Sequence, residues 1–252
     1  MIARRPFLAV AFASALSLLA GASALAAETK VAVAANFTEP AKEIAAKFEA
    51  RTGHKATLSF GSSGQFYTQI ANGAPFEVFL SADAERPTKA ETEGLAVAGT
   101  RFTYATGRLV LWSKTLGLVD GKGAVLAKGK FERLAIAEPK SAPYGQAAVE
   151  TLTRMKLQDA LKPRIVIGSS ITQAFQYVQT GAAELGFVAL SQVIAEKGGS
   201  RWIVPSSYHT PIDQQAVLLK TGANNDAAKA FLAFLKGREA KAIIKRYGYE
   251  VR

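Results

Sequence analysis

The chain has 252 residues, 49% of them hydrophobic and 20% charged, with 31 basic and 20 acidic side chains and no cysteine. That apolar content excludes disorder, and 21 Gly and 9 Pro without a period exclude collagen-like chains; the absent cysteine excludes disulfides, thiolate metal sites, a cysteine nucleophile and a lipid-modified cysteine anchor. The net charge of +11 points to an anionic partner, whether nucleic acid, a membrane surface or a small anion.

The chain opens with Arg4 and Arg5, an apolar stretch over 7–20, and small residues that include Ala24-Leu25-Ala26. Basic, apolar and small-residue regions in that order read as a secretory signal peptide over 1–26. Its apolar stretch is short for a bilayer span, which takes about 20 residues. Cleavage after Ala26 removes two arginines and takes the charge from +11 to +9. A protein exported to the periplasm and free in it is the expectation.

Beyond the leader, strand and helix patterns alternate. Residues 30–34 read as a strand, followed by a helix from Thr38 in which Ala41, Ile44, Ala45 and Phe48 recur at helical spacing until Gly53. Strands are expected at 55–60 and 77–81, with helices at 64–72 and 85–93 after them. The second half repeats the alternation. Strands are expected at 108–112, 134–137, 165–167 and 185–189, and helices from 145 towards 155, at 172–179 and at 191–196. A last strand at 214–219 precedes a helix capped by Asn225 or Asp226 and carrying Phe231, Phe234 and Leu235, then a final helix from 238 towards 247.

Such alternation predicts an α/β chain with mainly parallel sheet, arranged as two βα units side by side. The segment 102–112 and the late strand near 214–219 would carry the two crossings between them. This places 27–106 plus 208–252 in one lobe and 107–207 in the other.

Four times a strand runs into a small, neutral, donor-rich turn before a helix. The turns are Ala34-Ala35-Asn36-Phe37-Thr38, Gly61-Ser62-Ser63-Gly64, Ser141-Ala142-Pro143-Tyr144-Gly145 and Gly168-Ser169-Ser170-Ile171-Thr172. In open α/β sheets ligands bind at the carboxyl ends of strands, where helix starts offer unpaired N–H groups and the positive end of the dipole. Each turn alone reads more readily as a plain helix cap. Their repetition, two in each putative lobe, points to an anion. None contains Lys, Arg, His, Asp or Glu, so donors are offered without an acceptor. A fully deprotonated tetrahedral oxyanion suits that better than a phosphate that retains a proton.

At these residues the chain resembles the periplasmic molybdate-binding proteins of ABC importers. The resemblance covers essentially the whole mature chain. It rests most on Gly73-Ala74-Pro75-Phe76-Glu77-Val78-Phe79-Leu80-Ser81-Ala82-Asp83, with Ser59-Phe60-Gly61-Ser62-Ser63-Gly64, Ala183-Glu184-Leu185-Gly186-Phe187-Val188 and Lys245-Arg246-Tyr247-Gly248-Tyr249 in support. It implies the two-lobed type II periplasmic binding protein fold, each lobe a mainly parallel sheet flanked by helices, with the ligand in the cleft between lobes. It further implies molybdate or tungstate as ligand, no cofactor, no bare metal ion, and a monomer that serves a permease dimer with its ATPase.

The implied contacts are the Asn36 backbone N–H and side-chain amide, the Ser63 hydroxyl and N–H, and the backbone N–H groups of Tyr144 and Ile171, with a weaker one at Ala35. Two positions depart from the family pattern. Ala35 stands where the nearest branch often has Thr, and Ala189 where another branch supplies a Tyr hydroxyl. Glu77 replaces a common Asp or Asn at a position that reads as structural.

Four other readings compete. Another tetrahedral oxyanion, such as sulfate or phosphate, would use the same donors. A serine hydrolase would need Ser63 activated by His209, yet no G-x-S-x-G elbow is present. Two isolated histidines, His54 and His209, give no metal-ligand spacing, and the scattered basic residues form no nucleic-acid motif.

Overall fold

Strand β1 (Glu28–Ala34) is an interior strand of a five-stranded sheet, and Val31, Ala32 and Val33 are all fully buried. A strand covered on both faces takes apolar residues at successive positions instead of alternating ones. In the computed structural model, which describes residues 26–251, this strand is the first element. The expected signal peptide lies, but for its last residue, outside the described residues.

From β1 the chain passes through a 3-10 turn, Ala35–Phe37, into α1 (Thr38–Thr52), which buries Ala41, Ile44 and Phe48 as its spacing predicts. Gly53 ends α1 at φ +73°, in the left-handed region that a Cβ disfavours. Next come β2 (Lys55–Gly61), α2 (Ser63–Ala71), β3 (Val78–Ser81), α3 (Glu85–Thr92) and β4 (Phe102–Gly107).

The second sheet is built from β5 (Leu109–Ser113), β6 (Leu134–Ala137), β7 (Ile165–Gly168), β8 (Leu185–Ala189) and β9 (Ser200–Ile203). Its helices are α4 (Val125–Lys128), α5 (Pro143–Arg154), α6 (Gln158–Leu161), α7 (Ile171–Gln179) and α8 (Leu190–Val193). The chain then returns to the first sheet as β10 (Ile212–Leu218) and finishes in α9 (Asp226–Lys236) and α10 (Arg238–Arg246).

The strand orders are β2-β1-β3-β10-β4 and β7-β6-β8-β5-β9. In each sheet the first three strands pair in parallel, and a fourth pairs antiparallel with a neighbour on either side. Four strands of each sheet therefore share a direction, and the reversed one, β10 or β5, directly follows a crossing. This is a mainly parallel α/β architecture in two sheets, as the alternation predicts.

Two details differ from the sequence reading. The segment 102–112 is two strands in different sheets, divided at Arg108. The short elements β9, α4 and α6 have no counterpart in the sequence reading.

Each sheet is covered on both faces. Phe48, Phe231 and Ile244 lie on one face of the first sheet, and Phe66, Phe79 and Val217 on the other. The core of the second sheet is continuous with the first: Ala34, Ala35, Ala82 and Ile212 pack in one cluster with Ala142, Tyr144 and Ile171. The Glu77 carboxylate accepts from the Lys30 N–H (3.1 Å) and the Asn225 amide (2.8 Å) and so ties β1 to the start of α9. No helix among the described residues is long and apolar enough to cross a membrane.

Candidate functional site

The carboxyl ends of β1, β2, β6 and β7 face each other across the junction of the two sheets. Each leads within a few residues into a helix start, which gathers the four donor-rich turns around one small cavity. Ala35, Asn36, Ser62, Ser63, Tyr144 and Ile171 all line it, and no lining residue is charged. The cavity is small, with room for one compact ion and none for an extended organic substrate.

The turns are held in register across the junction. The Gly64 N–H donates to the Ser141 carbonyl at 2.8 Å. A Cβ on Gly64 would lie 2.8 Å from Ser141 Cα, so only glycine lets α2 approach the other lobe this closely. At the rim the Arg86 guanidinium, paired with Asp83, donates to the Lys140 carbonyl at 3.0 Å.

Ser63 is the first residue of α2, so the helix provides no partner for its N–H. Its Oγ accepts from the Ala82 N–H at 2.9 Å, which leaves the hydroxyl hydrogen to donate elsewhere. Ile171 holds the same first position in α7. Tyr144 follows Pro143 at the start of α5, where proline has no N–H to offer and that of Tyr144 is the first available. Ala35 can bring only its backbone. Several helix starts aimed at one point make a site for negative charge, each contributing ~0.3–1 kcal/mol at a surface and up to ~2 when partly buried.

Asn36 does not present its side chain as the sequence suggests. Its Nδ2 donates to Gln214 Oε1 (2.8 Å) and to the Tyr249 hydroxyl (3.0 Å), which takes up both amide hydrogens. The Asn36 backbone N–H in the 3-10 turn is what it has left to donate.

Beneath the cavity this amide belongs to a buried polar hub that spans both lobes. The Tyr249 hydroxyl and the Ser191 hydroxyl, the latter from the second lobe, each donate to the Asn36 carbonyl, at 2.7 and 2.8 Å. Gln214 Oε1 also accepts from the Tyr104 hydroxyl (3.0 Å), and its Nε2 donates to the Tyr144 hydroxyl (3.2 Å). Gln214 is fully buried, so each of these partners offsets a desolvation cost. Gly107 makes room: a Cβ there would lie 2.1 Å from the Tyr144 hydroxyl.

Burial pushes the Tyr249 hydroxyl up to about 12 and those of Tyr104 and Tyr144 well above the usual tyrosine range. All three therefore stay neutral donors at any physiological pH. The C-terminal Tyr247-Gly248-Tyr249 takes its meaning here, since Gly248 at φ +82° turns the chain to bring Tyr249 beneath Asn36.

Gln214, Tyr249, Tyr104 and Ser191 were missed from sequence. Their only signal is a polar residue inside an apolar strand, as at Gln214, or an aromatic after the final glycine. The histidines stand apart. His54 accepts from the Ala27 N–H (3.1 Å), and His209 sits in a groove beside Glu150 and Arg154; neither lines the cavity with Ser63. Among the described residues no group of three or more His, Asp or Glu could hold a metal ion.

The chain matches the family described as bacterial extracellular solute-binding protein over residues 29–250. It is 59% identical to the molybdate-binding protein ModA of Rhodobacter capsulatus over 239 residues, covering 94% of each chain. It is 57% identical to the molybdate-binding protein ModA of Azotobacter vinelandii over 234 residues, or 92% of this chain and 93% of that one. Among solved structures, the Azotobacter vinelandii periplasmic molybdate-binding protein superposes with a TM-score of 0.86 at 46% identity, over 89% of this chain and 99% of the other.

Proposed function

The chain belongs to the bacterial extracellular solute-binding proteins, in their molybdate-binding family, and from that premise we propose that it captures molybdate in the periplasm and delivers it to an ABC importer. It is a binding protein and not an enzyme, and its ligand needs no cofactor. One observation carries this reading: a cavity the size of one small ion, lined by neutral N–H and O–H donors and by no charged side chain.

A fully ionised tetrahedral oxyanion offers acceptors only, and each donor it meets gains a charge-assisted bond. The contacts we assign are Ser63 through its hydroxyl and N–H, and Asn36, Tyr144, Ile171 and Ala35 through backbone N–H groups. Tungstate, with the same shape and charge, belongs to the same reading.

The two sheets with their helices are the lobes, 27–106 plus 208–252 and 107–207. An ion that touches both stabilises the closed form by the difference in its affinity for closed and open protein. The closed monomer then docks on a permease dimer served by an ATPase, after export through a cleaved signal peptide over 1–26.

Calorimetric titration of the mature protein with molybdate, tungstate, sulfate and phosphate tests this. Heat is expected with molybdate and tungstate. Heat with sulfate or phosphate and none with molybdate would overturn it in favour of another oxyanion.

A further inference from the structure

We propose that Ser62 is a further hydroxyl donor to the oxyanion, next to Ser63 and distinct from it. The inference rests on the oxyanion reading above and goes beyond its donor set.

Ser62 occupies the N-cap of α2, with extended backbone at φ −75° and ψ 148°, where a serine normally turns its hydroxyl onto the helix. It does not do so: its side chain makes no capping bond. Other polar caps in this chain behave differently. Ser170 Oγ accepts from the Gln173 N–H, and Asn225 Oδ1 from the Ala227 N–H. Ser170 is thus fully explained as a cap and Ser62 is not.

The Ser62 hydroxyl is nevertheless buried, with 3% of the residue exposed, and has no hydrogen-bond partner among the described residues. A buried hydroxyl without a partner is a cost to folding and calls for an explanation. Two other hydroxyls share that condition, Thr29 and Ser81, but neither residue lines the cavity, whereas Ser62 does.

The donor count gives the hydroxyl its use. Asn36 has committed both amide hydrogens to the hub. Ala35 and Ala189 carry no hydroxyl, and the Tyr144 hydroxyl lies in the hub beside Gly107 and Gln214. From side chains, the lining offers only the serine pair. Ser63 contributes one hydrogen and Ser62 a second, both to an ion that can accept many.

The test is calorimetry with sodium molybdate on wild type, Ser62→Ala and Ser62→Gly, beside thermal unfolding of each without ligand. Glycine is included because an N-cap tolerates it well. Both variants should bind about tenfold or more weakly, the effect of removing a hydrogen bond to a charged partner. Their unfolding temperatures without ligand should match or exceed that of wild type, since an unpaired buried hydroxyl has been removed. Variants that bind as wild type does, beside a wild type that binds, overturn the assignment. So does a lower unfolding temperature with unchanged affinity, which would make Ser62 a plain cap. A wild type that gives no heat with molybdate overturns the oxyanion reading itself, and this assignment with it.

Discussion

The first and second sheets share one strand order, with the reversed strand in the same place, yet they bring different chemistry to the cavity. The first lobe brings side chains, the hydroxyls of Ser62 and Ser63 at the start of α2. The second brings backbone, through Tyr144 and Ile171 at the starts of α5 and α7. Its side chains are engaged elsewhere: Ser170 caps α7, Ile171 packs in the core, and the Tyr144 hydroxyl joins the hub. A side-chain donor can be removed by one substitution. A backbone donor survives every substitution except proline, or is lost when the helix that carries it moves.

The sharpest way to break the comparison is to move such a helix. Gly145 lies in the first turn of α5, and a Cβ there would sit 2.2 Å from the Ala137 carbonyl oxygen, a backbone atom that no side-chain rotation can move aside. Gly145→Ala should displace α5 from β6, cost about 3 kcal/mol of stability or more, and abolish oxyanion binding. Thermal unfolding and calorimetry on the same sample check both effects. Unchanged binding would mean that the Tyr144 N–H is not a contact.

A smaller effect is expected in the first lobe. Ser63→Ala removes a donor to the ion and also the acceptor of the Ala82 N–H. Binding should weaken by about 1.5–3 kcal/mol, the range for a hydrogen bond to a charged group, with the fold retained by circular dichroism. Equal affinity would remove Ser63 from the site and, with it, the contrast between the lobes.

The smallest effect should come from Tyr144→Phe. The hydroxyl faces Gln214 and Gly107, away from the cavity, so oxyanion affinity should stay within a few-fold of wild type. Stability should fall by about 0.5–1.5 kcal/mol for one lost neutral hydrogen bond. A large loss of affinity with no loss of stability would show the second lobe using a side chain after all.

Much of this arrangement is legible in the chain itself. Helical spacing in α1, the stop at Gly53 and the cap at Asn225 are local features set within a few residues, and the structure reproduces them. The four turns are equally local, and all four line the cavity. The hub is different in kind. Asn36 meets Gln214 across 178 positions and Tyr249 across 213, and no spacing rule reaches that far.

The sequence by itself determined the alternation of strands and helices, the neutral donor character of the four turns, and the absence of any cysteine chemistry. Each follows from side-chain periodicity or residue type, which need no partner to be read. Only the tertiary structure decided how those donors divide. It turned the Asn36 amide and the Tyr144 hydroxyl inward to the hub, used Ser170 as a cap, and left the Ser62 hydroxyl at the cavity without a partner among the described residues. The reason is burial: a polar group shut away from water takes whichever partner the distant chain supplies, and only packing brings that partner within reach.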